Sequence, residues 1–146
     1  MADDDTSVTG DVVTGDETAG DDTAGAGARL AMVCLDCAVP GELAEFWSAV
    51  LGWDVADTGE DYAMVSGPAF ALAFDRVDDY VAPGWPNEHG SKQFHFDLAV
   101  DDIEATAARS VALGATRPDH QPAAGRWVVM LDPAGHPFCL TDAKNW

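Results

Sequence analysis

Positive charge is scarce in this sequence: 7 lysines and arginines stand against 26 aspartates and glutamates, for a formal net charge of −19. Such a chain repels a phosphate backbone, which excludes the ordinary modes of nucleic-acid binding. Long apolar runs are missing as well. Nothing approaches the roughly 18 consecutive apolar residues of a membrane span, and no basic start followed by an apolar stretch marks a secretory leader. The expected setting is therefore cytoplasmic, with no membrane partner. Cysteine is sparse and odd in number, Cys34, Cys37 and Cys139, so reduced thiols are expected rather than a disulfide framework. "CLDC" spells CxxC, but residues i and i+3 of a strand project to opposite faces and no second pair completes a zinc site, which leaves a structural role. Only two lysines occur, Lys92 and Lys144. An acidic, lysine-poor surface suits a high-salt cytoplasm or a GC-rich genome equally, and its plain use is solubility.

Residues 1–27 hold eight acidic side chains, no basic one, no aromatic and almost no large aliphatic. They cannot bury enough apolar surface to offset chain entropy, so a disordered acidic tail is expected, with one domain over 28–146. From there the pattern becomes regular. "RLAMVCLDCAV" reads as a buried strand, and "PGELAEFWSAVLGW" sets Leu43, Phe46, Trp47, Val50 and Leu51 on one helical stripe that ends at Gly52. "DYAMVSGPAFALAFDRV" reads as two strands about a Ser-Gly-Pro turn, and residues 78–92 as a polar, Pro/Gly-rich loop. The second half repeats the order. "QFHFDLAV" is a strand; "DDIEATAARSVALGA" is a helix with Asp101 as N-cap, Glu104 in the capping-box position and Gly114 at its end; "RWVVMLD", "PAGH" and "PFCLTD" make a closing hairpin. Leu51-Gly52 and Leu113-Gly114 stand 62 residues apart. The domain thus reads as two copies of a strand, helix, three-strand module.

The paired modules, the helix "EFWSAVLGW", "FHFDLAVDDIEA", "ALGAT" and the ending "WVVMLDPAGHPFCL" resemble the vicinal oxygen chelate superfamily of glyoxalase I, bleomycin-resistance proteins and extradiol dioxygenases. Within it they are most similar to the small glyoxalase-like domain proteins common in actinobacteria. The resemblance covers about Arg29 to Asp142. It implies an α+β fold of two paired βαβββ modules whose mixed sheets curl into a cup around one ligand site, and it implies homodimers.

The superfamily's metal enzymes take their ligands from the first and last strands of each module. Carried over singly, the first-strand position falls on Met32, and the end of module one offers Ala73, Phe74 or Asp75. Module two supplies His95 and Cys139. A thioether is a poor ligand for hard divalent ions, and the mixed set that remains matches no one metal. No cofactor is therefore expected, with His95 and Asp75 the only candidates should a divalent metal bind. His95 itself has three readings: metal ligand, polar contact or proton carrier in the cup, or packed structural histidine. Met32, Phe74, His95, Trp127 and Cys139 are the candidate ligand-binding residues, with Met130 beside them, although core packing serves each apolar one equally well. Cys139 with His95 as base is a thiol-catalysis candidate without a third, orienting group. Trp85 and His89 are lid candidates. The expected function is binding of a small organic molecule, cationic or amphipathic by the charge of the chain. The alternatives are a metal-dependent lyase, isomerase or dioxygenase, or a metal-free lyase or isomerase with His95 as general base.

Overall fold

The computed structural model of the chain describes residues 28–123 and 125–146; the acidic segment expected to be disordered lies outside them. Seven strands and two helices follow in the order β1 (Met32–Cys37), α1 (Pro40–Leu51), β2 (Asp54–Thr58), β3 (Tyr62–Ser66), β4 (Ala71–Arg76), β5 (Phe96–Val100), α2 (Ile103–Ala112), β6 (Trp127–Leu131) and β7 (Pro137–Asp142). A short 3-10 turn at Ala143–Asn145 closes the chain. The strands form two mixed sheets, ordered β1-β4-β3-β2 and β5-β7-β6. In each, the first strand runs parallel to the last, β1 to β4 and β5 to β7, while the hairpins are antiparallel. The internal repeat thus appears as two sheets of like topology. The copies differ at one point: the strand of module two that answers β2 shrinks to a single bridge between Thr116 and Leu131.

Local chemistry sets the helix ends. Pro40 opens α1, where its missing N–H costs nothing, and Gly52 stops the helix in the left-handed region at φ 69°, its amide bonding the Ser48 carbonyl at 2.8 Å. In α2 the cap is Asp102, not Asp101: the Asp102 carboxylate accepts the Ala105 amide at 2.9 Å. The shift moves Glu104 from the third to the second helical position, out of capping-box register, and it pairs instead with Arg117 in a two-pronged ion pair at 2.7 and 3.0 Å.

The core lies between sheets and helices and spans both modules. From α1, Phe46 and Trp47 meet Phe138 edge-on at ring-centre distances of 6.1 and 5.2 Å, and Trp47 meets Phe96 at 5.4 Å. The helix of module one therefore packs on strands of module two. The Trp47 indole N–H donates to the buried Asp132 carboxylate at 3.1 Å, tying that helix to the turn before β7. Alternation along the strands divides their faces. Leu35, Cys37, Ala63, Val65, Leu72 and Phe74 point into this core. The opposite face of module one carries Met32, Cys34, Asp36 and Asp75, all exposed. β1 was expected to be buried throughout; only Leu35 and Cys37 are, because its other face is open. The same alternation puts Cys34 outside and Cys37 inside, so the two thiols of "CLDC" face apart.

Candidate functional site

A cleft of about 360 Å³ opens between the first strand of module one and the approach to β5, with Cys34, Asp36, Tyr80, Lys92, His95 and His136 among its lining residues. Two imidazoles meet there, each held by a carboxylate. His95 Nε2 lies 3.2 Å from Asp97 Oδ2, and its Nδ1 lies 3.4 Å from the Gln93 carbonyl. Residues 95 and 97 share a face because the chain is extended between them. A neutral ring donates to only one of these acceptors, an imidazolium to both. His136 is fixed more tightly. Its Nδ1 stands 2.9 Å from the fully buried Asp132 carboxylate and its Nε2 3.1 Å from the Tyr80 hydroxyl, which donates to the Ala134 carbonyl at 2.9 Å. Asp132 also accepts the amides of Ala134 and His136 at 3.0 and 2.9 Å, so one carboxylate organises the whole "DPAGH" turn. Burial, with Asp132 adding to it, pushes the Tyr80 hydroxyl up to about 12 and keeps it a neutral donor.

The loop between β4 and β5 delivers Tyr80, Lys92 and the approach to His95. Asp79 and Gln93, beside Tyr80 and two residues before His95, are the non-glycine residues with left-handed backbone among those described, at φ 56° and 53°. Such conformations persist where surroundings impose them, commonly at binding sites. The loop is seated on the turn: Gly135, at φ 86°, has no room for a side chain, since a Cβ there would stand 2.6 Å from that of Ala82. Farther along, Trp85 lies down on the open face of module two. It packs with Val129 and Cys139, flanked by Trp127 and Leu131, and its indole reaches the His120 carbonyl at 3.4 Å. Lys92 caps this layer, its ammonium 5.4 Å from the Trp85 ring centre and 5.9 Å from that of Trp127.

The candidate residues from the sequence fall in three places. His95 lines the cleft. Cys139 and Trp127 lie on the same side of module two but under Trp85, and the Trp127 indole N–H is buried without a partner. Met32 is exposed on module one, its sulfur 3.7 Å from the Tyr62 hydroxyl, while Phe74 and Met130 are fully buried in the core. Asp75 sits beside Cys34 on module one; burial, with Asp75 adding to it, pushes that thiol up to about 11.

Strand register relates the two modules once one pair of positions is matched. With Met32 matched to His95, as the resemblance has it, Cys34 answers Asp97, and because Cys34 pairs with Ala73 as Asp97 pairs with Cys139, Ala73 answers Cys139. On that match the four positions are Met32, Ala73, His95 and Cys139, with no carboxylate among them. This set does not fit a hard divalent ion. One group of a different kind is present: a donor atom from each of His95, Asp97 and Cys139 lies within 4.8 Å of the others, all on module two. Burial pushes the Cys139 thiol up to about 11, with the Lys92 ammonium opposing the shift and Asp97 adding to it.

Two like-wound sheets with helices on one side and a site on the other define a vicinal oxygen chelate scaffold. The profile of the glyoxalase-like domain matches residues 32–141, and the chain belongs to that family. Solved structures agree on the fold. A glyoxalase-related enzyme from Fulvimarina pelagi superposes with a TM-score of 0.59 at 20% identity, over 81% of this chain and 90% of that one. A glyoxalase/bleomycin resistance protein/dioxygenase family enzyme from Burkholderia phytofirmans PsJN gives 0.60 at 15%, over 80% and 99%. The trypanothione-dependent glyoxalase I of Leishmania major gives 0.55 at 17%, over 81% and 88%. No curated protein matches the sequence. No described helix is long and apolar enough to cross a membrane.

Sequence reasoning missed Asp97, Tyr80, Lys92 and His136. Asp97 was open to period-two counting from His95, and His136 to its i, i+4 spacing from Asp132 in the turn. Tyr80 and Lys92 come from a loop without periodicity, and no signal marked them.

Proposed function

We propose that this glyoxalase-like domain binds a small organic molecule in the cleft between its modules and does so without the cross-module metal of the superfamily's enzymes. The observation that carries this reading is the convergence on one cleft of His95 backed by Asp97, of Tyr80 and His136 backed by Asp132, and of Lys92. Carboxylate-held imidazoles are fixed in orientation and poised to bond a polar ligand or carry a proton. Tyr80, its proton given to the Ala134 carbonyl, holds the His136 ring from the cleft side, and the volume suits a ligand of modest size. The test is a fragment screen by amide NMR on chelator-treated protein. Binding fragments are expected to perturb residues 34–36, 80–83, 92–96 and 136–137, and His95→Ala to weaken them by about 1–2 kcal/mol, the worth of a hydrogen bond in such a site. Perturbations that spare residues 80–83, 92–96 and 136–137 would refute it.

A second reading follows from the His95, Asp97 and Cys139 group. Nitrogen, oxygen and sulfur together suit a borderline ion such as zinc, which binds the thiolate and takes the thiol's proton as the price. Bound there, the ion would supply Lewis acidity, while these three residues hold it and Trp85 excludes water from the sulfur. Cobalt(II) titration separates the readings. An intense thiolate-to-cobalt absorption that vanishes in Cys139→Ser favours the metal; its absence from the wild type removes it.

A further inference from the structure

The charge of the whole chain points to a cationic ligand, and the cleft points the other way. Among its lining residues only Asp36 is a carboxylate, set against Lys92 and the two imidazoles of His95 and His136, in a chain where acids outnumber bases 26 to 7. Two neighbouring carboxylates are already engaged: Asp97 faces His95 and Asp132 faces His136. Lys92 is the telling residue. It is half-buried, and no carboxylate lies within ion-pair distance of it among the described residues, although acids abound. Its ammonium rests instead over the two indoles of Trp85 and Trp127, a contact that fixes a cation without neutralising it.

Resting on the reading of the cleft as a small-molecule site, we infer that its ligand carries a carboxylate or an equivalent anionic oxygen group, and that Lys92 is the residue that selects it. The ammonium supplies both the charge and the N–H donors, because the Tyr80 proton is already given to the Ala134 carbonyl and the His95 ring nitrogens face Asp97 and the Gln93 carbonyl. A strongly acidic exterior attracts a cation, but within the cleft that cation meets Lys92, and an anion finds there an ammonium without a carboxylate partner.

Three probes of matched size separate the classes: phenylacetate, phenylacetamide and 2-phenylethylammonium, each titrated into the full chain at low and moderate salt with amide NMR as readout. Phenylacetate is expected to bind tightest and to lose affinity as salt rises. Lys92→Gln should cost it about tenfold or more while leaving the amide unchanged, and Lys92→Arg should restore most of the loss, which a merely structural lysine would not do. Tighter binding of the ammonium probe, or an unchanged phenylacetate affinity in a folded Lys92→Gln, overturns the inference and leaves the cleft reading intact. If none of the three perturbs the cleft at millimolar concentration, the cleft reading falls and takes this inference with it.

Discussion

Asp132 does more in this molecule than turn chemistry demands. A single buried carboxylate accepts the Trp47 indole, the His136 ring and two turn amides, so it joins the core to the cleft. Its replacement by alanine orphans buried donors on three sides and is expected to cost about 3 kcal/mol or more, read as a fall in urea midpoint. The thiols behave differently from one another. Cys34 is exposed, whereas Cys37 and Cys139 are buried, so a disulfide reagent is expected to titrate one thiol in the native chain and three after denaturation. Fast reaction of all three would contradict the packing of Trp85 over Cys139. Alkaline pH gives a second handle. Burial raises Cys37 and Cys139 from 9.0 to about 11, and Tyr80 from 10.0 to about 12. The folded chain holds these protons more tightly than the unfolded one, so the stabilisation is complete below pH 9 and is lost as pH climbs towards 12. The thermal midpoint should therefore decline across that window, and less steeply in Tyr80→Phe.

At the scale of elements, the caps and the loop make the sharpest claims. Asp102→Ala should cost about 1 kcal/mol by removing the Ala105 bond, whereas Asp101→Ala should change the thermal midpoint little. Equal losses from both would mean that the cap is shared. Gly135→Ala strains a left-handed turn and collides with Ala82, and is expected to lift the loop and to speed labelling of Cys139. Helices, hairpins and the repeat were legible from the sequence because each rests on local periodicity: the Leu43-Phe46-Trp47 stripe, the alternating strands and the glycines after each helix. The cap was misplaced by one residue because two aspartates stand together at 101 and 102 and only the direction of the chain chooses between them. Two features were not legible. The shrinkage of one strand to Thr116 follows from pairing across the sheet, and the descent of Trp85 onto module two comes from a loop whose sequence carries no period.

Across the whole molecule, the resemblance gave the site's address and the register gave its content. His95 could be placed by motif, but its partner Asp97 and the cross-loop chain of Tyr80, His136 and Asp132 join residues far apart in sequence, which only the folded chain brings together. With Met32 matched to His95, the register puts Ala73 rather than Asp75 in Cys139's place in module one. If residues 1–27 add only charge, deleting them should leave the thermal midpoint within about a degree or two, since a fold of this size moves several degrees per kcal/mol; a larger fall would show that they dock. The central claim is that the cleft binds its ligand without metal. It is tested most directly by measuring the affinity of one cleft-binding fragment for chelator-treated protein and again with saturating zinc. The account predicts the same dissociation constant within about twofold, because a ligand-independent ion shifts nothing. Binding that appears only with zinc, and disappears in Cys139→Ala, would contradict it.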